Sequence, residues 1–116
     1  MADRKTKLPV VFFATRSGRE PVRDWLKALD KEDRLVIGTD ILAVQKGWPL
    51  GLPLCDSLGG RLWEVRSKLP GRRIARVIFA FDDGEIVLLN GFMKKTQKTP
   101  PDEIDLAAKR LKEMTT

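Results

Sequence analysis

Arg66, Arg73 and Arg76 stand close together in the chain. They are followed by Lys94, Lys95 and Lys98 in a segment, Gly91-Phe92-Met93-Lys94-Lys95-Thr96-Gln97-Lys98-Thr99-Pro100, that carries no acidic residue. Guanidinium and ammonium groups interleaved with hydroxyl and amide donors are the side chains that surround a phosphate with both charge and hydrogen bonds. The phosphate reading is favoured over its alternatives, in which the lysine segment is a solvated exit loop and Arg66 makes a cross-strand ion pair near Glu64 or with Glu85. Glu64, two residues before Arg66, is the nearest carboxylate that could move a proton.

Other chemistries are excluded by composition. The chain has no His and no Tyr, and Cys55 is its one cysteine. A His-centred triad, a His/Cys zinc site and an internal disulfide are therefore all ruled out, and no metal or cofactor is expected. Cys55, between Leu54 and Asp56, reads as a small half-buried filler in a protein of the reducing cytoplasm. No stretch approaches membrane-spanning length, and Met1-Ala2-Asp3-Arg4-Lys5 leads into no signal-like apolar core, so no membrane association is expected.

The positive charge is concentrated. Lys and Arg number 22 against 16 Asp and Glu, a net of +6. Residues 61–99 hold nine basic and four acidic side chains, +5, against +2 for residues 1–60 and −1 for residues 100–116. A solvated face ordinarily mixes signs, so this bias on one unit points to an anionic partner such as RNA or DNA.

The elements that must carry these residues follow from patterning. With 116 residues, 42% apolar and 33% charged, the chain is one globular domain spanning 1–116. Pro9 to Ala14 is an apolar strand closed by Thr15-Arg16-Ser17-Gly18. Pro21, Val22, Trp25, Leu26 and Leu29 space a helix over roughly 20–30. Asp30 is placed to cap a second helix, with Asp33 favouring its positive end and Leu35, Ile41, Leu42 and Val44 as its stripe, until Gly47 and Pro49 stop it. Residues 47–60, rich in Gly, Pro and Leu, are expected to be an ordered loop. Leu62 to Arg66, Arg73 to Phe81 and Glu85 to Phe92 are strands joined by turns at Leu69-Pro70-Gly71 and Asp82-Asp83-Gly84, a meander. Asp102 can cap a last helix whose apolar face is Ile104, Ala107, Ala108, Leu111 and Met114. The class is α+β: a three- or four-stranded, mainly antiparallel sheet with two consecutive helices on one face and a C-terminal helix nearby. Its expected core includes Val11, Phe13, Trp25, Leu26, Leu42, Trp63, Val77 and Val87.

Alternation along the strands separates Trp63 and Val65 from Glu64 and Arg66, and Ile74, Arg76 and Ile78 from Arg73, Ala75 and Val77. Both faces of the middle strand thus carry an arginine, and parity cannot bring Arg73 and Arg76 into one site. Arg73, nearer the turn, is the favoured one. Trp25, Trp48 and Trp63 are expected to fill the core rather than stack on bases.

The order strand, two helices, LWEVR (62–66), turn, RRIARVIFAF (72–81), IVLLNGFMKKTQKTP (86–100) and closing helix resembles the phage-derived Gp49-like, HigB-type toxins of the RelE/ParE superfamily. The resemblance covers nearly the whole chain. It implies a curved sheet, mixed at its edge, that serves as an RNA face. It further implies a toxin that cleaves mRNA in the ribosomal A site without metal and is held in check by a cognate antitoxin of helix-turn-helix type. Operator DNA would be bound only through the antitoxin complex. By motif position Arg66, Arg73 and Lys95 are the implied catalytic residues, with Arg76, Lys94 and Lys98 binding RNA phosphates. Ribosome-dependent members often carry a His or Tyr near the C-terminal end. This chain has neither, leaving Glu64, a lysine or a ribosomal group as the base. Two other functions share the fold: inhibition of DNA gyrase by a ParE-like contact, and nucleic-acid binding without catalysis.

Overall fold

The computed structural model describes residues 7–95 and 97–115; Thr96 of the lysine segment and the opening Met1–Lys5 lie outside them. The elements are β1 (Val10–Phe12), α1 (Pro21–Lys27), α2 (Lys31–Gly47), β2 (Cys55–Gly59), β3 (Leu62–Leu69), β4 (Arg73–Asp82), β5 (Glu85–Met93) and α3 (Pro101–Thr115). Pro21 sits in the first turn of α1, where its missing N–H costs nothing. Asp30 occupies the N-cap position of α2 without a side-chain capping bond. Helix α3 begins at Pro101, so Asp102 lies in its first turn rather than at its cap, still favourably placed at the positive end of the helix. No described helix is long and apolar enough to cross a membrane.

The five strands form one sheet in the order β1-β5-β4-β3-β2. All neighbours are antiparallel except β1 and β5, which pair in parallel at one edge. Asp83 and Gly84 both adopt positive φ, as a two-residue hairpin turn between β4 and β5 requires. The fifth strand is a correction. Cys55–Gly59, expected as part of a loop, is an edge strand pairing with β3 through Cys55↔Val65 and Asp56↔Glu64. Its Gly- and Ser-containing sequence has little strand propensity of its own, and the partner strand supplies the pairing.

Helices cover both faces. Val22 of α1 and Ile37, Ile41 and Val44 of α2 pack with Val65, Leu69, Ala75, Val77, Phe79, Ile86 and Leu88 of the sheet. On the opposite face Ala107 and Leu111 of α3 pack with Leu62, Ile78, Ala80, Val87 and Leu89. The expected core is thus split between two layers. Phe13, Val77 and Val87 are buried, while Val11, Trp25, Leu26, Leu42 and Trp63 are half-buried around the margins. Trp48 joins Trp63 edge-on, with ring centroids 5.1 Å apart, so the tryptophans do serve packing. Cys55 is fully buried, and burial pushes its thiol up to about 11, so it stays protonated and unreactive at neutral pH.

A register shift between β4 and β5 sets the parity at the C-terminal end of β5. Ile78 pairs with Asn90 but Phe79 with Leu88, so Leu89 is an extra residue, a bulge. Beyond it Gly91 lies opposite Val77 and faces the α1–α2 layer, where Trp25 closes directly over it. A Cβ at Gly91 would stand 2.5 Å from Trp25 Cε3. Gly91→Ala is therefore expected to displace the indole and lower stability by about 1–3 kcal/mol, an overpacking cost. Urea unfolding followed by tryptophan fluorescence measures it, and an unshifted midpoint would show that the ring moves freely.

Candidate functional site

The basic residues converge at the end of the sheet where β4 begins and β5 ends. Register aligns Arg66 with Arg76, and Arg76 with Phe92. Two residues toward the sheet end, Lys68 pairs with Ile74, whose carbonyl accepts the backbone N–H of Lys94 at 2.8 Å. A cleft of about 570 Å³ at this end is lined by Arg72, Arg73, Ile74, Met93, Lys94, Lys95 and Gln97.

Alternation puts Glu64, Arg66 and Arg76 together on the α3 face. Glu64 is 1% exposed and Arg76 2%. Arg76 Nη1 lies 3.4 Å from Glu64 Oε2 and donates to Thr99 Oγ1 at 2.6 Å, and its Nη2 donates to the Gln97 carbonyl at 3.3 Å. The Thr99 hydroxyl donates in turn to Glu64 Oε1. Arg66 places Nε 3.4 Å from Glu64 Oε2, yet its side chain remains 32% exposed. A buried carboxylate thus holds one arginine inside the protein and a second at its surface.

Two expected roles are corrected by this geometry. Arg76, expected to contact RNA phosphate, is enclosed beneath residues 97–99, and its terminal nitrogens are taken up by Glu64, Thr99 and Gln97. Glu64, named as a candidate base, is equally enclosed, with Oε1 receiving Thr99 and Oε2 facing both arginines. A carboxylate so surrounded by donors serves to orient them and has no face turned to a substrate hydroxyl.

Arg73 lies on the other side of the sheet, as its parity requires. Its Nη1 and Nη2 donate to Asp33 Oδ2 and Oδ1 at 2.7 and 2.8 Å, and its Nε donates to the Pro70 carbonyl at 3.0 Å. The bidentate pair ties the first turn of α2 to the start of β4. Arg73 nevertheless borders the basic cleft and is 47% exposed. Lys95 and Lys98 are exposed on the segment that Arg76 anchors, and Lys94 is half-buried at its start. The structure therefore gathers Arg66 on the α3 face and Arg73, Lys94 and Lys95 around the end cleft, with the rim of β4 between them. Arg72 in the cleft, Gln97 and Thr99 in the anchor, and Asp33 as the Arg73 partner were not singled out from sequence. The density of donors between Lys94 and Thr99 was the signal for Gln97 and Thr99; Asp33 is brought to Arg73 only by the packing of α2.

The Arg73 hydrogen bonds hold the Asp33 carboxyl below the usual carboxylate range, against an opposing effect of burial. A lowered aspartate contributes stability above its unfolded pKa of about 3.9 and loses it as pH falls through the lower folded value. The stability of the protein is accordingly expected to fall below about pH 4 more steeply than that of Arg73→Met. Urea midpoints from pH 2 to 7 check this; parallel curves would exclude the pair as a contributor.

A family model for phage-derived Gp49-like proteins matches residues 24–112. The match spans α2, every strand from β2 to β5, the lysine segment and most of α3. None of the curated proteins compared matches the chain.

Proposed function

The chain belongs to the phage-derived Gp49-like family, and from that premise we propose that it is the toxin of a type II toxin–antitoxin pair that cleaves mRNA on the ribosome. The family is associated with toxin–antitoxin toxins. The observation that supports catalysis is Arg66, held on the α3 face by a buried glutamate, with a cleft carrying Arg72, Arg73, Lys94 and Lys95 across the rim of β4. Arg66 suits a pentacoordinate phosphate better than a protein surface, because its charge is held in place before substrate arrives.

In the proposed reaction the ribose 2′-oxygen attacks the adjacent phosphorus and the bond to the 5′-oxygen breaks. A 2′,3′-cyclic phosphate and a 5′-hydroxyl result. The 2′-hydroxyl proton passes to a base and the leaving oxygen gains one. Arg66 and Lys95 stabilise the charge that builds on the phosphoryl oxygens, with Arg73 contributing from the cleft rim and Lys94 and Lys98 holding flanking phosphates. Arginine keeps its proton, so the base is a lysine of the cleft or a ribosomal group. No metal takes part. A helix-turn-helix antitoxin neutralises the protein in the cytoplasm and carries it to operator DNA.

Translation of a defined mRNA by purified ribosomes, with the new 5′ ends mapped, tests this reading. Cuts within codons that appear only with translating ribosomes, and that leave 2′,3′-cyclic phosphate and 5′-hydroxyl ends, are expected. Equal cleavage of naked RNA would overturn the ribosome requirement. Absence of any cleavage together with gyrase inhibition would replace the nuclease by a ParE-like contact inhibitor.

A further inference from the structure

The Thr99 hydroxyl joins three parts of the molecule at one point. It donates to Glu64 on β3, accepts from Arg76 on β4, and itself belongs to the segment leading into α3. Only a hydroxyl combines donor and acceptor in so small a group; valine has the same shape and offers neither. Thr99 is 9% exposed, and the partners of its hydroxyl are Glu64 and Arg76. What it fixes is Glu64, whose Oε2 lies 3.4 Å from Arg66 Nε. With Oε1 anchored by Thr99 and the carboxylate flanked by Arg76, the glutamate cannot turn about its terminal bond. Arg66 is then met along its Nε edge, and its exposed side chain is left one preferred direction instead of several.

We propose that Thr99 is a positioning residue of the basic site, setting the direction of the Arg66 guanidinium through Glu64 while Arg76 pins Gln97 beside it. The proposal rests on the reading of Arg66 as the phosphate-stabilising group. It adds that the lysine segment and the arginine face are coupled: the hydroxyl that ends the segment also orients the arginine. A plain structural staple would hold Gln97 and Thr99 down and leave Arg66 free to rotate.

Thr99→Val and Thr99→Ser distinguish the two. In ribosome-dependent cleavage assayed well below the melting temperature, Thr99→Val is expected to lose on the order of ten- to a hundredfold in kcat with KM little changed, as misorientation of a reacting group does. Thr99→Ser is expected to restore the rate. The Arg66 Nε–H resonance, assigned by its disappearance in Arg66→Lys, reports orientation without any reaction. It is expected to be dispersed and slow to exchange in the native protein and in Thr99→Ser, and to collapse toward the free-arginine position in Thr99→Val. Should Thr99→Val fail to fold, Thr99→Ala, which also removes the hydroxyl, is read in the same way. A lower melting temperature with native kcat and an unmoved Arg66 resonance would overturn the proposal. If the native protein cleaves nothing, the functional reading fails, and the resonance still decides the role of Thr99.

Discussion

Alanine at Arg66 is expected to lower ribosome-dependent cleavage by roughly a hundred- to a thousandfold, the loss that follows removal of one donor aimed at a transition-state oxyanion. The fold should survive, because Glu64 keeps Arg76 and Thr99 as partners and a partly exposed ion pair is worth about 1 kcal/mol or less. Rate and stability therefore separate at this position. Single-turnover cleavage and thermal unfolding of the same preparation make the comparison. A tenfold or smaller loss of rate would show that Arg66 is a surface arginine and would move the centre of the site to Lys94, Lys95 and the end cleft.

The opposite balance is expected at Arg76. Leucine there leaves Glu64 at 1% exposure without its buried counter-ion, a change that typically costs about 3–5 kcal/mol. Gln97 loses the donor on its carbonyl and Thr99 one of its two bonds, so the lysine segment also comes loose. The double variant Glu64→Leu with Arg76→Met should recover most of the stability, since a buried ion pair replaced by apolar groups of similar volume is often neutral. It should not recover cleavage, because Arg66 then has nothing to orient it. A double variant as unstable as Arg76→Leu alone would show that the cost lies in the anchored segment rather than in the uncompensated charge.

The sequence by itself determined the order and kind of most elements. Pro21 and the Val22-Trp25-Leu26 spacing specify α1, Gly47 and Pro49 end α2, and Asp83-Gly84 supplies the positive φ values that the β4–β5 hairpin needs. These are local preferences, readable in windows of a few residues. Strand alternation also separated Arg73 from Arg76 correctly, because a two-residue period leaves no choice of face once a strand is given.

Tertiary structure decided what the charges do. Cys55–Gly59 becomes a strand only because β3 offers it an edge, and the bulge at Leu89 comes from the pairing of β4 with β5. Neither leaves a local trace. The segment leading into α3 folds over Glu64 and Arg76, turning an expected RNA-binding arginine and a candidate base into an internal framework. Asp33, separated in sequence by two strands from Arg73, becomes its bidentate partner only when α2 packs. Charge is visible in a sequence but its burial is not. Whether an arginine is free to meet a phosphate or is held by a carboxylate depends on what folds over it, and that is a property of long-range packing alone.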